Sequence, residues 1–323
     1  MSGVWSRLRR RRGTTAAGVL LAVIVALAVA APVLPLPHYA TLDPASAGAG
    51  PSPRWTTSDP DARDLLADEH AWGAALRQAV FDDGELAGAL GTDALGRDVL
   101  SRVVWGGRVS LMVGLIASLV SVLIGVSWGL IAGYAGGRVD GFMMRFVDVL
   151  YSVPLLFVVI LVVAILRDFA TELAAFGITR VVILYAVIGA ISWLTMARIV
   201  RGQVLSLRER DFVVASRALG AKGSRIILRH MLPNLWGLVV VYLTLTVPRV
   251  MLFEAFLSFL GLGVEPPGVS WGILASEGLE QLTAVSVAWW LVVFPGLALA
   301  LTLSALNALG DALRDALDPR LVK

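Results

Sequence analysis

Six apolar runs, each long enough to supply the ~20 residues a helix needs to cross a hydrocarbon core, constrain this 323-residue chain more than any other feature. They lie at about 14–34, 109–133, 146–166, 179–200, 236–260 and 285–307. Within lipid a helix satisfies its own backbone N–H and C=O groups, so runs of this kind read as spanning helices. The expected fold is therefore an all-α membrane protein with six transmembrane helices. Composition agrees: 57% of residues are hydrophobic and 16% charged, against about 25% charged in soluble domains.

The basic residues are segregated. If both termini are cytosolic, the inside segments hold 18 Lys and Arg: five at the N-terminus, two at 134–145, eight at 198–234 and three at the C-terminus. The outside segments hold 8, and Arg249 is left within a span. That asymmetry places both ends in the cytosol of a multi-pass cell-membrane protein. The small net charge of +3 is thus read as topology rather than as nucleic-acid binding. The chain has no cysteine, so disulfides and thiolate chemistry are excluded.

Five arginines in WSRLRRRR, residues 5–12, precede the first run. The run is either a first span or a secretory signal peptide cut near Ala28-Val29-Ala30; both put the next residues outside. From 35 to 108 the chain is rich in Pro, Ala, Gly and Asp and net acidic, which suits an extracytoplasmic segment. Residues 35–60 read as an irregular linker, and Leu65 to Leu90 as patchy helix. It is either a surface for an external partner or a mere surface excursion. In 91–111, GTDALGRDVLSRVVWGGRVSL, Thr92 or Asp93 is expected to cap a short helix and Gly96 to supply a turn.

In the second span Gly125, Gly129 and Gly133, with Gly137 just beyond, recur every four residues, as a close-packed helix seam or a subunit interface requires. Asp148 stands near the cytosolic end of the third span, as a helix-end charge or a gating contact, and Pro154 should bend that helix. Arg249 and Glu254 lie in the fifth run, about 20 and 27 Å along from Trp236. Their spacing of five does not align them as an ion pair. Each either lines a path or makes a structural contact. Beyond them SFLGLGVEPPGVSWG, 258–272, reads as an external loop containing Pro266, Pro267 and Trp271.

Between the fourth and fifth runs lies DFVVASRALGAKGSRIILRHMLPN, Asp211 to Asn234. Phe212, Ala215 and Leu219 recur at helical spacing, Gly220 and Gly223 break the chain, and Ile226, Ile227, His230 and Met231 form a second apolar face before Pro233 opens the next helix. Arg217, Lys222, Arg225 and Arg229 occupy the other faces. The segment is either an ordinary positive-inside loop or a knob that docks into a soluble partner.

These strings resemble one family. Ala215, Gly220 and Leu232-Pro233 resemble the EAA coupling loop of ABC importer permeases, with Val214 at the glutamate position, Ser216 at the second alanine and His230 at a hydrophobic position. Gly91-Thr92-Asp93 with Gly96-Arg97-Asp98, the LSFLGLG string with its Pro-Pro and Ser-Trp-Gly, and the ending GDALRDALDPR resemble the C-type permeases of the dipeptide, oligopeptide and nickel family. The resemblance implies a type I importer fold with a basic N-terminus and first helix at 1–34, an extracytoplasmic segment at 35–108, a transmembrane domain at 109–307 with a coupling loop at 201–235, and a cytosolic tail at 308–323. It also implies a homologous permease, cytosolic ATPase subunits that hold ATP and Mg, and an extracytoplasmic binding protein. Ala215, Arg217, Gly220, Arg225, His230, Pro233 and Asn234 would then meet the ATPases. The implied cargo is short peptides, with nickel or another metal chelate as the alternative.

No GxxxxGK[ST] loop occurs, His38, His70 and His230 are dispersed, and no Ser-His-Asp arrangement is supported. The chain is expected to bind no cofactor or metal and to be no enzyme. An ion-driven carrier, the other class of transporter, would need Arg249 and Glu254 as coupling charges.

Overall fold

In a computed structural model the described residues are 12–169, 172, 175, 180–264, 267–282 and 287–317. In chain order they form α1 (Arg12–Ala30), a 3-10 turn (Pro44–Ser46), β1 (Arg54–Thr57), α2 (Pro60–Phe81), β2 (Gly84–Ala87), α3 (Val99–Ala135), α4 (Gly137–Ser152), α5 (Leu155–Asp168), α6 (Arg180–Arg208), α7 (Asp211–Ala218), α8 (Gly223–Ile226), a π turn (Ile227–Met231), α9 (Leu232–Phe259), α10 (Trp271–Glu280) and α11 (Trp290–Leu317).

Four helical stretches are long and apolar enough to cross a membrane: Gly13–Ala30, Val99–Ala135, Gly223–Phe259 and Trp290–Leu317. A fifth candidate is the pair Gly137–Ser152 and Leu156–Leu166, bent by 87°. The expected third span, 146–166, is therefore a broken one. Val153 is extended, as a residue before proline is driven to be, so α4 ends at Ser152 and α5 begins beyond Pro154. The expected fourth span falls on α6, with Thr179 outside the described residues. The described residues thus give four or five spans by length and apolarity, against the six expected.

The described residues divide into two compact units, 114–250 with 307–317, and 12–113 with 251–306. In the first unit, Gly125, Gly129 and Gly133 of α3 press against α6. A β-carbon on Gly129 would stand 2.6 Å from the Ala197 carbonyl, and one on Gly133 2.8 Å from Val204 Cβ. The four-residue glycine spacing thus serves a seam inside the chain. Gly137 does not belong to it: it has φ +55°, opens α4 and has nothing within 4 Å. Val122, Val126, Val200 and Val204 of this seam continue into a core with Val213, Ile226, Met231 and Leu235.

The second unit contains the head. The expected linker at 35–60 carries β1, which pairs antiparallel with β2, Arg54 opposite Ala87 and Thr57 opposite Gly84. The expected helix over 65–90 accordingly stops at Phe81, and the chain turns at Asp82, with φ +54°, into the strand. Asp59 caps α2 by accepting from Asp61 N at 3.0 Å. Leu66, Trp105 and Val269 form the core, and the buried Arg77 donates to Glu85 at 3.0 Å.

Helix α3 begins ten residues before the expected second span. Its cap is Asp98, which accepts from Ser101 N at 2.7 Å, rather than Thr92 or Asp93. Thr92 instead bridges to Asp98 as a strand residue, while Asp93 accepts from the backbone N of Leu95 and Arg97, both at 2.9 Å. Gly96 does supply the turn, with φ +77°.

Candidate coupling site

The knob is built as a helix, a left-handed glycine and a second helix. Helix α7 ends at Ala218, and Gly220 takes φ +77° with its amide donating to Arg217 O at 3.0 Å. This is the glycine termination expected of a helix C-terminus. Nothing lies within 4 Å of a β-carbon there, so it is the backbone angle and not crowding that requires glycine.

The second helix does not stop at Pro233. Residues 223–259 form one continuous helix in which Ile227–Met231 make a π turn. Proline carries no N–H, and a wide turn ending just before it accommodates the donor that a regular helix would miss. The second knob helix and the fifth span are consequently one rod, a correction to the separate helices read on either side of Pro233.

Three side chains anchor the knob. Val213, Ile226 and Met231 have no exposed surface and pack with Val200, Val204 and Leu235. Each such burial contributes about 1.5–3 kcal/mol. Gly223 lies against Tyr134 of α3, and the Arg217 guanidinium sits 5.7 Å from the centre of the same ring. His230 is brought to α7: its Nε2 is 3.5 Å from Ser216 Oγ and its ring 6.4 Å from Phe212. Asn234 Nδ2 donates to the His230 carbonyl at 2.6 Å. Ala215, Arg225, Pro233 and Asn234 are exposed. Leu219, read from sequence only as part of an apolar helix face, is 88% exposed at the elbow. The knob therefore pairs a rigid inner face with an apolar tip among basic residues.

The charges of the third span fall beside its break. Arg198 donates to Asp148 at 2.7 Å and lies 4.1 Å from the centre of the Tyr151 ring, and Tyr151 Oη is 2.8 Å from Thr195 Oγ1. Asp148 is thus an ion-pair partner of α6 near the Pro154 break. Sequence reading missed a second pair: Arg201 donates through Nε and Nη2 to both oxygens of Asp140, at 2.5 and 2.6 Å. Charge asymmetry takes Arg201 only as positive-inside charge, yet a bidentate fork fixes α6 to α4.

Arg249 and Glu254 do part, as their spacing implied. Arg249 is exposed. Glu254 is 1% exposed, and its Oε1 accepts from Ser258 Oγ at 2.7 Å and Ser270 Oγ at 2.8 Å. Ser270 also caps α10 by accepting from Ile273 N. Trp271, expected in a loop, opens α10 and is buried: its amide donates to Ser110 Oγ at 3.1 Å and its indole N–H to the Val103 carbonyl at 2.8 Å. Pro267 is exposed, and Pro266 lies outside the described residues. Helix α10 is further held by a charge cluster that the motif spacing alone did not reveal. Arg102 donates to Asp93 at 2.9 Å and to Glu277 at 2.7 Å, and Arg97 to the same two carboxylates at 2.6 and 3.1 Å.

Comparison with known proteins decides the family. Residues 125–323 match the binding-protein-dependent transport system inner membrane component family. The chain belongs to it. Residues 1–51 of the permease match the N-terminal transmembrane domain of oligopeptide transport permease C. The permease is 48% identical over 231 residues to the dipeptide transport system permease protein DppC of Bacillus subtilis, covering 72% of this chain and 68% of that protein. It is 49% identical over 230 residues to the oligopeptide transport system permease protein OppC of Haemophilus influenzae, 71% and 70% of the two chains. With OppC of Escherichia coli K12 it shares 48% identity over 238 residues, 74% of each. The C-type resemblance read from the motifs is borne out, and the permease is a multi-pass inner membrane component.

Proposed function

We propose that this permease forms, with a homologous permease, the path of an ABC importer for dipeptides or short oligopeptides. Separate cytosolic ATPases drive it, an external binding protein loads it, and both termini are cytosolic. The observation that carries the reading is the knob: an exposed apolar tip among basic residues on a rod continuous with the fifth span. A partner pressing on residues 211–234 moves that rod, and Val213, Ile226 and Met231 pass the displacement to α3 and α6. The relatives are dipeptide and oligopeptide permeases, which favours peptides over nickel chelates.

The residues expected at the ATPase, Ala215, Arg217, Gly220, Arg225, His230, Pro233 and Asn234, keep that role here, with Leu219 added at the tip. The 35–98 head faces outside, where the binding protein docks. ATP and Mg stay on the partner subunits. The test is purification in mild detergent followed by ATPase assay with peptide-loaded binding protein, di-, tri- and longer peptides being compared with nickel chelates. Co-purifying ATPases stimulated by peptide support the reading; stimulation by nickel alone reassigns the cargo. Gly220→Val, which forces a β-branched residue to φ +77°, should uncouple ATP hydrolysis from uptake. Unchanged uptake in that variant, or uptake without any ATPase, would overturn it.

A further inference from the structure

The Arg249 side chain is exposed, and among the described residues no hydrogen bond or ion pair reaches it. It lies ten residues before the end of α9 at Phe259, about 15 Å at the rise of a helix, which is half the ~30 Å of a hydrocarbon core. An arginine at that depth does not face lipid: it meets water or a carboxylate. Glu254 cannot serve, because its carboxyl is buried and accepts from Ser258 and Ser270.

Thr246 stands one turn before Arg249 on the same face and is partly exposed; its hydroxyl donates to the Tyr242 carbonyl at 2.6 Å, so its oxygen can still accept. Tyr242, a further turn back, packs on the core with Leu235 and Val239. The polar face is therefore a single turn that ends on the guanidinium.

Resting on the peptide-importer reading, we propose that Arg249 is a carboxylate-binding residue of the translocation path, taking the C-terminal carboxylate of a peptide in transit. A planar guanidinium with its donors unused matches a carboxylate in a bidentate fork. The binding is transient, because the exposed guanidinium keeps the pair solvated and so weak enough to release.

The absence of cysteine makes the test direct. Thr246→Cys and Arg249→Cys, each the sole cysteine of this chain, are made in the complete complex reconstituted in proteoliposomes with its binding protein and cysteine-free partners. Both positions should react with a membrane-impermeant methanethiosulfonate during ATP turnover, and in Thr246→Cys, which keeps Arg249, the reaction should block uptake. Separately, Arg249→Gln should lower uptake of a free-acid tripeptide at least about tenfold relative to its C-terminal amide, compared with the wild-type ratio. Arg249→Lys, which keeps the charge and loses the fork, should fall between.

Equal loss for acid and amide overturns the proposal. So does loss of the second permease on purification of Arg249→Gln, which would assign the guanidinium to a carboxylate of that chain. Absence of labelling at both cysteines while ATP hydrolysis persists also overturns it; Thr246→Cys keeps this arm valid if Arg249→Cys fails to assemble. Failure of the importer reading itself has a different signature, a wild-type complex whose ATPase ignores peptide-loaded binding protein.

Discussion

Gly223 lies against the ring of Tyr134, so closely that a β-carbon on it would stand 2.9 Å from Cε1 and 3.1 Å from the hydroxyl. The glycine opens the second helix of the knob, and the tyrosine belongs to α3. One missing methyl group thus sets how near the knob sits to a spanning helix.

Gly223→Leu is expected to push the knob off that ring, at a cost of about 1–3 kcal/mol from overpacking. Tyr134→Ala should relieve the clash, so the double variant should lose less than the two single losses added together. Uptake and ATPase stimulation in the reconstituted complex read the effect. Strict additivity would mean that the two residues do not meet.

Gly129 and Gly202 should respond in opposite directions. A β-carbon at Gly129 meets the Ala197 carbonyl and the Arg201 amide, which are backbone atoms that cannot turn aside, whereas Gly202 has nothing within 4 Å. Gly129→Val should abolish the folded protein in detergent. Gly202→Ala, inside α6, should raise stability by up to about 1 kcal/mol. Thermal melts of the purified chain compare the two.

Arg102→Met should cost about 3–5 kcal/mol, since it removes a cation whose side chain is 3% exposed and leaves Asp93 and Glu277 sharing Arg97 alone. The loosened element should be α10. Faster amide hydrogen exchange at residues 271–280, with little change at 211–234, is the expected pattern.

Acid should loosen the head. Burial lowers the pKa of His38, partly opposed by Glu69; burial also lowers that of His70, and the Arg108 guanidinium beside it acts in the same direction. The unfolded chain therefore binds more protons than the folded one near the ordinary histidine value of about 6.5, and stability present above it is lost as pH falls below. Burial raises the carboxyls of Glu85 and Asp98, so their buried charge costs least at the lowest pH, in a separate window nearer about 4–5. Amide exchange over 35–90 should accelerate from about pH 7.5 to about pH 5.5 after correction for intrinsic rates, and His38→Gln should flatten the change. No change in the wild type over that range would contradict it.

Much of this was legible in the residues. Apolar runs gave the four or five spanning helices found among the described residues, against six expected, Gly125, Gly129 and Gly133 gave the seam, and Gly220 gave the elbow, because each depends on a local period or a single backbone angle. Three kinds of feature escaped. The strand pair of the head joins residues about thirty apart, and neither Arg54–Thr57 nor Gly84–Ala87 is apolar enough to announce a strand. The fork from Arg201 to Asp140 spans 61 positions, and a topology count absorbs such an arginine without asking what it touches. Trp271 looked like a loop residue because Pro266 and Pro267 precede it, yet the hydroxyl of Ser270 starts a helix at once. The position of Arg249 was readable; that no described side chain pairs with it was not.

The π turn at Ile227–Met231 has one more effect. An extra residue in one turn of a helix amounts to a rotation, about 100° at 3.6 residues per turn, of everything that follows. The two ends of the rod are therefore out of phase: residues that would share a side in an unbroken helix point in different directions above and below the turn. Arg225 before the turn and Thr246 after it are thus presented about 100° from where an unbroken helix would set them relative to each other, an offset written in five residues.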